Sequence, residues 1–111
     1  MKKIFVSIAS YQDPLLLETI CSAYENAKYK DFITFGVCEQ SSNGIDLDSI
    51  KFKNQIRYEL IDPVMAKGPC YARSRIQSLI NGEDYYLQID SHMIFYQGWD
   101  EILIKYFNWL Q

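Results

Sequence analysis

The chain has 111 residues, of which 49% are hydrophobic and 23% charged, with a formal net charge of −3. These values describe one small globular domain spanning residues 1–111 and argue against a disordered chain. Lysines are scattered among acids and no basic stripe is present, which argues against a reader of nucleic-acid backbone.

The opening, MKKIFVSIAS, imitates a signal peptide. Ser7 breaks its apolar stretch and Gln12 and Asp13 follow at once, whereas a signal core runs for about 7–15 apolar residues. A first strand over residues 4–9, buried on both faces, is expected instead. Asp13-Pro14 then predicts a helix start. Asp13 is placed to cap free N–H groups, Pro14 suits the first helical position, and Leu16, Leu17, Ile20, Tyr24 and Ala27 form the inward stripe. Residues 32–38 read as the second strand, residues 40–44 as a polar turn, and residues 45–54 as a short helix or an irregular crossing. Ile56, Tyr58 and Leu60 alternate with Arg57 and Glu59 in a third strand over residues 55–61.

Gly68-Pro69 predicts another helix start, with Ala72, Ile76, Leu79 and Ile80 inward and Asn81-Gly82 as its end. Tyr85–Ile89 reads as the fourth strand and residues 93–95 as a short fifth one. Gly98 precedes a last helix, Trp99–Leu110. Its apolar residues, Ile102, Leu103, Ile104, Tyr106, Phe107, Trp109 and Leu110, circle most of the axis. One sheet face cannot cover them all, so an apolar patch and a homodimer through this helix are expected. No apolar run approaches ~18 residues, so no membrane span is expected. Cys21, Cys38 and Cys70 lack metal-ligand spacing and are read as reduced thiols of a cytoplasmic protein.

Strands alternating with helices imply an α/β fold, Rossmann-like, with a mainly parallel sheet flanked by helices. Ligands of such sheets bind beyond the carboxyl ends of the strands. Attention therefore falls on Ser10, Tyr11 and Asp13 after the first strand, Glu39 and Gln40 after the second, and Asp90 and His92 after the fourth. Neither GxGxxG nor GxxxxGK[ST] occurs, which argues against a dinucleotide or P-loop site. In the run YYLQIDSHMIF, Asp90 and His92 are two residues apart. If that segment is extended they share a side, and an oxygen–nitrogen pair of this kind suits Mn²⁺, with Mg²⁺ or Co²⁺ as substitutes. Two protein ligands leave positions open for diphosphate oxygens and water. On residue types alone, a capping Asp beside a surface His remains the alternative.

The run EDYYLQIDSHMIF with GWD downstream resembles the cytoplasmic polypeptide N-acetylglucosaminyltransferases, which modify a hydroxyproline of a ubiquitin-ligase adaptor. IFVSIASYQDP, FGVCEQ and GPCYARSRI resemble their first strand, second strand and diphosphate-side helix. The resemblance implies a GT-A fold, a UDP-sugar donor expected to be UDP-GlcNAc, a protein or glycan hydroxyl acceptor, and a DxD-type motif written Asp-Ser-His. It places Asp90 near the ribose and the metal, and His92 on the metal directly. Ser91 joins the donor-binding set, Ser10, Tyr11 and Asp13 line the uridine pocket, and Glu39 takes a uracil N–H. Arg73 neutralises diphosphate charge or braces Asp90. On residue types alone, the alternatives are a helix cap for Asp13, a solvated loop acid for Glu39 and a surface ion-pair partner for Arg73. Asp100 and Glu101 lie at a helix start, where acids are ordinary, so no acceptor-activating base is identified. Members of the family continue into an acceptor-binding half that is expected to be absent here. The competing readings are a UDP-sugar-binding fragment without catalysis and a structural interaction domain.

Overall fold

The computed structural model describes residues 2–65 and 69–110. Its elements, in chain order, are β1 (Ile4–Tyr11), α1 (Leu16–Glu25), β2 (Ile33–Gln40), β3 (Ile56–Ile61), α2 (Pro69–Gln77), β4 (Tyr85–Ile89) and α3 (Trp99–Leu110). The strands form one sheet in the order β3-β2-β1-β4, with every neighbouring pair parallel. The expected Rossmann-like α/β fold is the one observed. Strand order reverses between β1 and β4, which makes the gap at their carboxyl ends the switch point.

Alternation along β1 assigns its side chains to two cores. Ile4, Val6 and Ile8 pack with Leu16, Ile20 and Ala23 of α1, with Ile50 and Phe52 of the crossing, and with Trp99 at the start of α3. Phe5 faces the other way, toward Cys38 of β2 and Ala72 and Ile76 of α2. Gly36 is required there, because any side chain at this position would collide with the Phe5 ring and Ile76. Both faces of the central strands are thus covered, as a parallel sheet demands.

The structure shifts several expected boundaries. α1 begins at Leu16 rather than Pro14, and its first residue has no side-chain cap. Asp13 instead accepts from Leu15 N at 2.9 Å, forming a turn ahead of the helix. β2 runs on to Gln40. The ladder uses backbone groups alone, so polar side chains at Glu39 and Gln40 do not end it. The crossing holds two short 3₁₀ turns, Leu47–Ser49 and Lys53–Gln55. Gly68 lies outside the described residues. α2 stops at Gln77, short of Ile80, and Gly82 takes the left-handed backbone at φ 80°.

Residues 93–95 form no strand. Two of their N–H groups are taken by α1 instead: Met93 N donates to Thr19 Oγ1 at 2.9 Å and Phe95 N to Ser22 Oγ at 3.0 Å. Along α3, Leu103 and Ile104 pack on the core and the Phe107 ring stacks on Tyr85 with centroids 5.0 Å apart. Ile102, Tyr106 and Trp109 remain 63%, 54% and 79% exposed, a stripe at helical spacing that nothing among the described residues covers.

Behind the sheet, the Arg57 guanidinium grips Glu83 with two bonds of 3.0 Å each and donates to Leu79 O at 2.6 Å. Arg57, aided by Asn81 N, holds the Glu83 carboxyl below its ordinary value. A depressed folded value means that the stabilisation is complete above the unfolded pKa of about 4.3. It is lost as pH falls through the lower folded value. Glu83→Gln is therefore expected to flatten the acid limb of the stability curve below about pH 4 while costing stability at neutral pH. Urea unfolding across a pH series measures this, and parallel acid limbs for the two proteins would contradict it.

Candidate functional site

The switch point opens because β4 leaves the sheet early. The β1–β4 ladder ends at Ile8↔Ile89, whereas the β1–β2 ladder continues to Tyr11↔Gln40. Ser10 and Tyr11 of β1 thus project past the end of β4, beside the segment that carries Asp90, Ser91 and His92. Gln12 then adopts φ 47°, with its N–H donating to Gln40 O at 3.0 Å. A left-handed conformation costs a non-glycine residue roughly 1–2 kcal/mol. Here it accompanies the sharp change of direction that places Asp13 against the Asp-Ser-His segment.

Asp13 ties the two strand ends together. Its Oδ2 accepts from Ser91 Oγ at 2.6 Å and contacts His92 Nδ1 at 2.9 Å, while Oδ1 accepts from Leu15 N. The Ser91 hydroxyl first, then the Leu15 N–H, holds this carboxyl below its ordinary value. It is therefore a carboxylate at neutral pH. Thr19 completes the support, donating to Ser91 O at 2.8 Å and accepting from Met93 N. Ser91 is buried as a result, and its side chain is committed to the protein.

The Asp-Ser-His segment is not extended as the i, i+2 argument assumed. β4 ends at Ile89, and Ser91 and His92 lie in a bend. The His92 side chain is 62% exposed, with Nδ1 turned to Asp13. Asp90 is exposed, just past the end of β4. No group of three His, Cys, Asp or Glu side chains gathers into a metal cage among the described residues. What the segment offers is one unengaged carboxylate and one imidazole nitrogen, Nε2, both facing solvent. Such a donor set fits an ion that completes its shell with phosphate oxygens and water.

Glu39 sits 4% exposed at the end of β2. Its Oε1 accepts from Ile45 N at 3.0 Å and from Tyr58 OH at 2.5 Å. Burial, and then the adjacent carboxylate, raises the Tyr58 phenol above its ordinary value, so it stays a donor. The second oxygen, Oε2, remains available toward an open cleft of about 480 Å³. Gln12, Asp13, Glu39, Asn43 and Ile45 are among the residues that line it. The cleft thus contains both Asp13 and Glu39. Ser10 is buried nearby, and neither its hydroxyl nor Gln40 Oε1 has a hydrogen-bond partner among the described residues. Tyr11 is 59% exposed.

Arg73 lies on α2, across from β4. With the Gln88 amide oxygen turned toward it, Gln88 accepts from Arg73 Nε at 2.8 Å and NH2 at 3.2 Å. Arg73 therefore braces Gln88, two residues before Asp90, rather than Asp90 itself. Gln88 is neutral and orients the guanidinium without cancelling its charge. Among the described residues no carboxylate pairs with it. Arg75, in contrast, is spent on Glu59 at 2.6 Å.

The GWD run proves structural. Gly98, at φ 77°, donates its N–H to Asn26 O at 2.7 Å, and buried Trp99 donates Nε1–H to Ala23 O at 2.8 Å. Asp100, 0% exposed, accepts from Lys28 N and Tyr29 N at 2.7 and 2.9 Å. Glu101 pairs with Lys28 Nζ at 2.7 Å. Neither acid faces the crevice. Sequence reasoning missed Thr19, Ser22, Tyr58 and Gln88. The one available signal was Thr19, a polar residue three positions after Leu16 on the inward stripe of α1.

The molecule is thus a parallel α/β domain whose polar side chains converge at the switch point of its sheet. The family model described as Glycosyltransferase (GlcNAc) matches residues 42–111, more than half of the chain, and the chain belongs to that family. The matched part includes β3, α2, the Asp90–His92 segment and α3. No curated protein matches the chain. No helix among the described residues is long and apolar enough to cross a membrane.

Proposed function

We propose that the chain binds UDP-GlcNAc together with Mn²⁺, and that it serves the transfer of GlcNAc to a hydroxyl acceptor. The observation that carries this reading is His92, exposed and bonded through Nδ1 to Asp13, which lines the same cleft as Glu39, with exposed Asp90 two residues before it, at the switch point of a glycosyltransferase-family sheet. Asp90 and His92 would hold the ion as a DxD-type motif in its Asp-Ser-His form, with Mg²⁺ as a substitute. When bound, the ion supplies electrostatic stabilisation to the diphosphate as negative charge grows on it. Arg73, held by a neutral partner, brings a second positive charge to the α2 side of the crevice. Glu39 orients the base. The resemblance of the Asp-Ser-His run and GWD to the cytoplasmic hydroxyproline-modifying enzymes supports a hydroxyproline-containing protein as the acceptor class.

Glu39 provides a test that does not depend on turnover. Oε1 is fixed by Ile45 and Tyr58, so only Oε2 is left to accept a ring N–H, which uracil has and cytosine lacks. UDP is expected to bind more tightly than CDP by about 1–3 kcal/mol, the cost of leaving a buried polar group unpaired. Glu39→Gln keeps an acceptor for Ile45 and Tyr58 but presents an NH₂ to the base. It should erase the preference, because that group donates to the cytosine ring nitrogen. Calorimetric titration with both nucleotides in the presence of Mn²⁺ decides the point, and a wild-type protein indifferent to the base would remove Glu39 from the site. Slow release of GlcNAc from UDP-GlcNAc into water, measured in parallel, distinguishes a competent donor site from a binding fragment.

A further inference from the structure

We infer that Asp13 is a positioning residue: it holds His92 in the tautomer that carries its proton on Nδ1 and so leaves Nε2, as a bare lone pair, free on the exposed side of the ring. The inference rests on the metal-site reading above and changes the role of Asp13 from uridine ligand to orienter of the Asp-Ser-His segment. Three observations carry it. The Nδ1···Oδ2 separation is 2.9 Å, a hydrogen-bond distance. An unprotonated Nδ1 would set a lone pair against a carboxylate oxygen, so the contact requires the proton on Nδ1 and leaves Nε2 as the acceptor.

Next, the carboxylate is nearly saturated. An ionised carboxylate has roughly four lone-pair positions. Those of Asp13 already take Leu15 N, Ser91 Oγ and His92 Nδ1, which leaves little to offer a ribose hydroxyl. Finally, the arrangement is held rigidly from both sides. The turn at Gln12 and the Leu15 bond fix Asp13, while Thr19 fixes the backbone at Ser91 and Met93. Exposed histidines usually rotate freely. Here the aspartate gives an imidazole that is 62% exposed one ring orientation and one donor nitrogen, which is how carboxylates beside metal-binding histidines act.

His92 is the only histidine in the chain, so its ring nitrogens can be read directly by long-range ¹H–¹⁵N correlation on the metal-free 111-residue chain. At a pH where imidazole is neutral, the wild type should show a protonated Nδ1 and an unprotonated Nε2. Asp13→Asn retains an oxygen for Leu15 N and so keeps the turn, but loses the charge facing His92. It should shift the ring toward the opposite tautomer and weaken Mn²⁺ binding by about 10–100-fold, with the circular dichroism spectrum unchanged. Asp13→Ala should give the same tautomer shift, and if it misfolds the asparagine variant still decides. An unchanged tautomer in both variants, or a wild type already on the Nε2–H form, would overturn the inference. If the tautomer depends on Asp13 but added Mn²⁺ fails to broaden the His92 signals, the metal reading fails while the positioning role stands.

Discussion

Asp90→Asn and His92→Ala are each expected to abolish the gain in UDP affinity that Mn²⁺ confers, while leaving the weak affinity measured in EDTA unchanged. The ion can raise affinity only by contacting protein and diphosphate together, and in the proposed site Asp90 and His92 are the two protein ligands, no third His, Cys, Asp or Glu gathering with them among the described residues. Losing either leaves one ligand and open water positions, so the bridging gain should fall by about 10–100-fold, or roughly 1.4–2.8 kcal/mol. Both side chains are exposed, and surface substitutions of this kind change stability by no more than about 0.5 kcal/mol. Unfolding curves that superimpose with wild type would therefore separate lost binding from lost fold. Titrations of UDP with Mn²⁺, with Mg²⁺ and with EDTA make the measurement. A wild-type protein that binds UDP equally well in EDTA and in Mn²⁺ would take the ion out of the site.

The sheet was legible because its order follows from local pattern. Tyr85–Ile89 and Trp99–Leu110 stand where the apolar runs and the glycine punctuation place them. What could not be read lies in contacts between distant segments. Thr19 and Ser22 withdraw the N–H groups of Met93 and Phe95 from any strand partner, and they do so across more than seventy positions. Asp13 looked like a helix cap because Pro14 follows it. Its partners Ser91 and His92 are 78 and 79 residues away, and no local rule couples them. The same distance hid the bend at Ser91 and His92. A segment read alone is assumed to continue as a strand, whereas here the Asp13 carboxylate and the Thr19 hydroxyl draw it back over the start of α1. Glu39 was expected at the site from its place after the predicted second strand, although β2 itself runs through it. That half of its carboxylate is already held by Ile45 and Tyr58 follows only from the fold.

The acid most important to the fold is expected to lie outside the crevice. Asp100→Ala should destabilise the protein by about 2–4 kcal/mol, because two backbone N–H groups lose a charged acceptor at once. The side chain is fully buried, and each oxygen receives one N–H, from Lys28 and from Tyr29, where the chain leaves α1. That pair of bonds fastens the end of α1 to the first turn of α3, beside the Trp99 indole bonded to Ala23 O and the Gly98 N–H bonded to Asn26 O. Both N–H groups are partly buried, so water replaces the lost acceptor only in part. Asp100→Asn should rescue little, since one oxygen can serve one donor while the amide NH₂ faces the other. Glu101→Ala removes the neighbouring acid, whose partners Lys28, Tyr29 and Lys105 meet it at the solvent-screened surface, so its loss should cost little. Against a total stability of roughly 5–15 kcal/mol, the two substitutions should be readily distinguished by urea unfolding. If Asp100→Ala costs no more than Glu101→Ala, the buried carboxylate does not hold these helices together. The GWD run would then need a role at the ligand rather than in the fold.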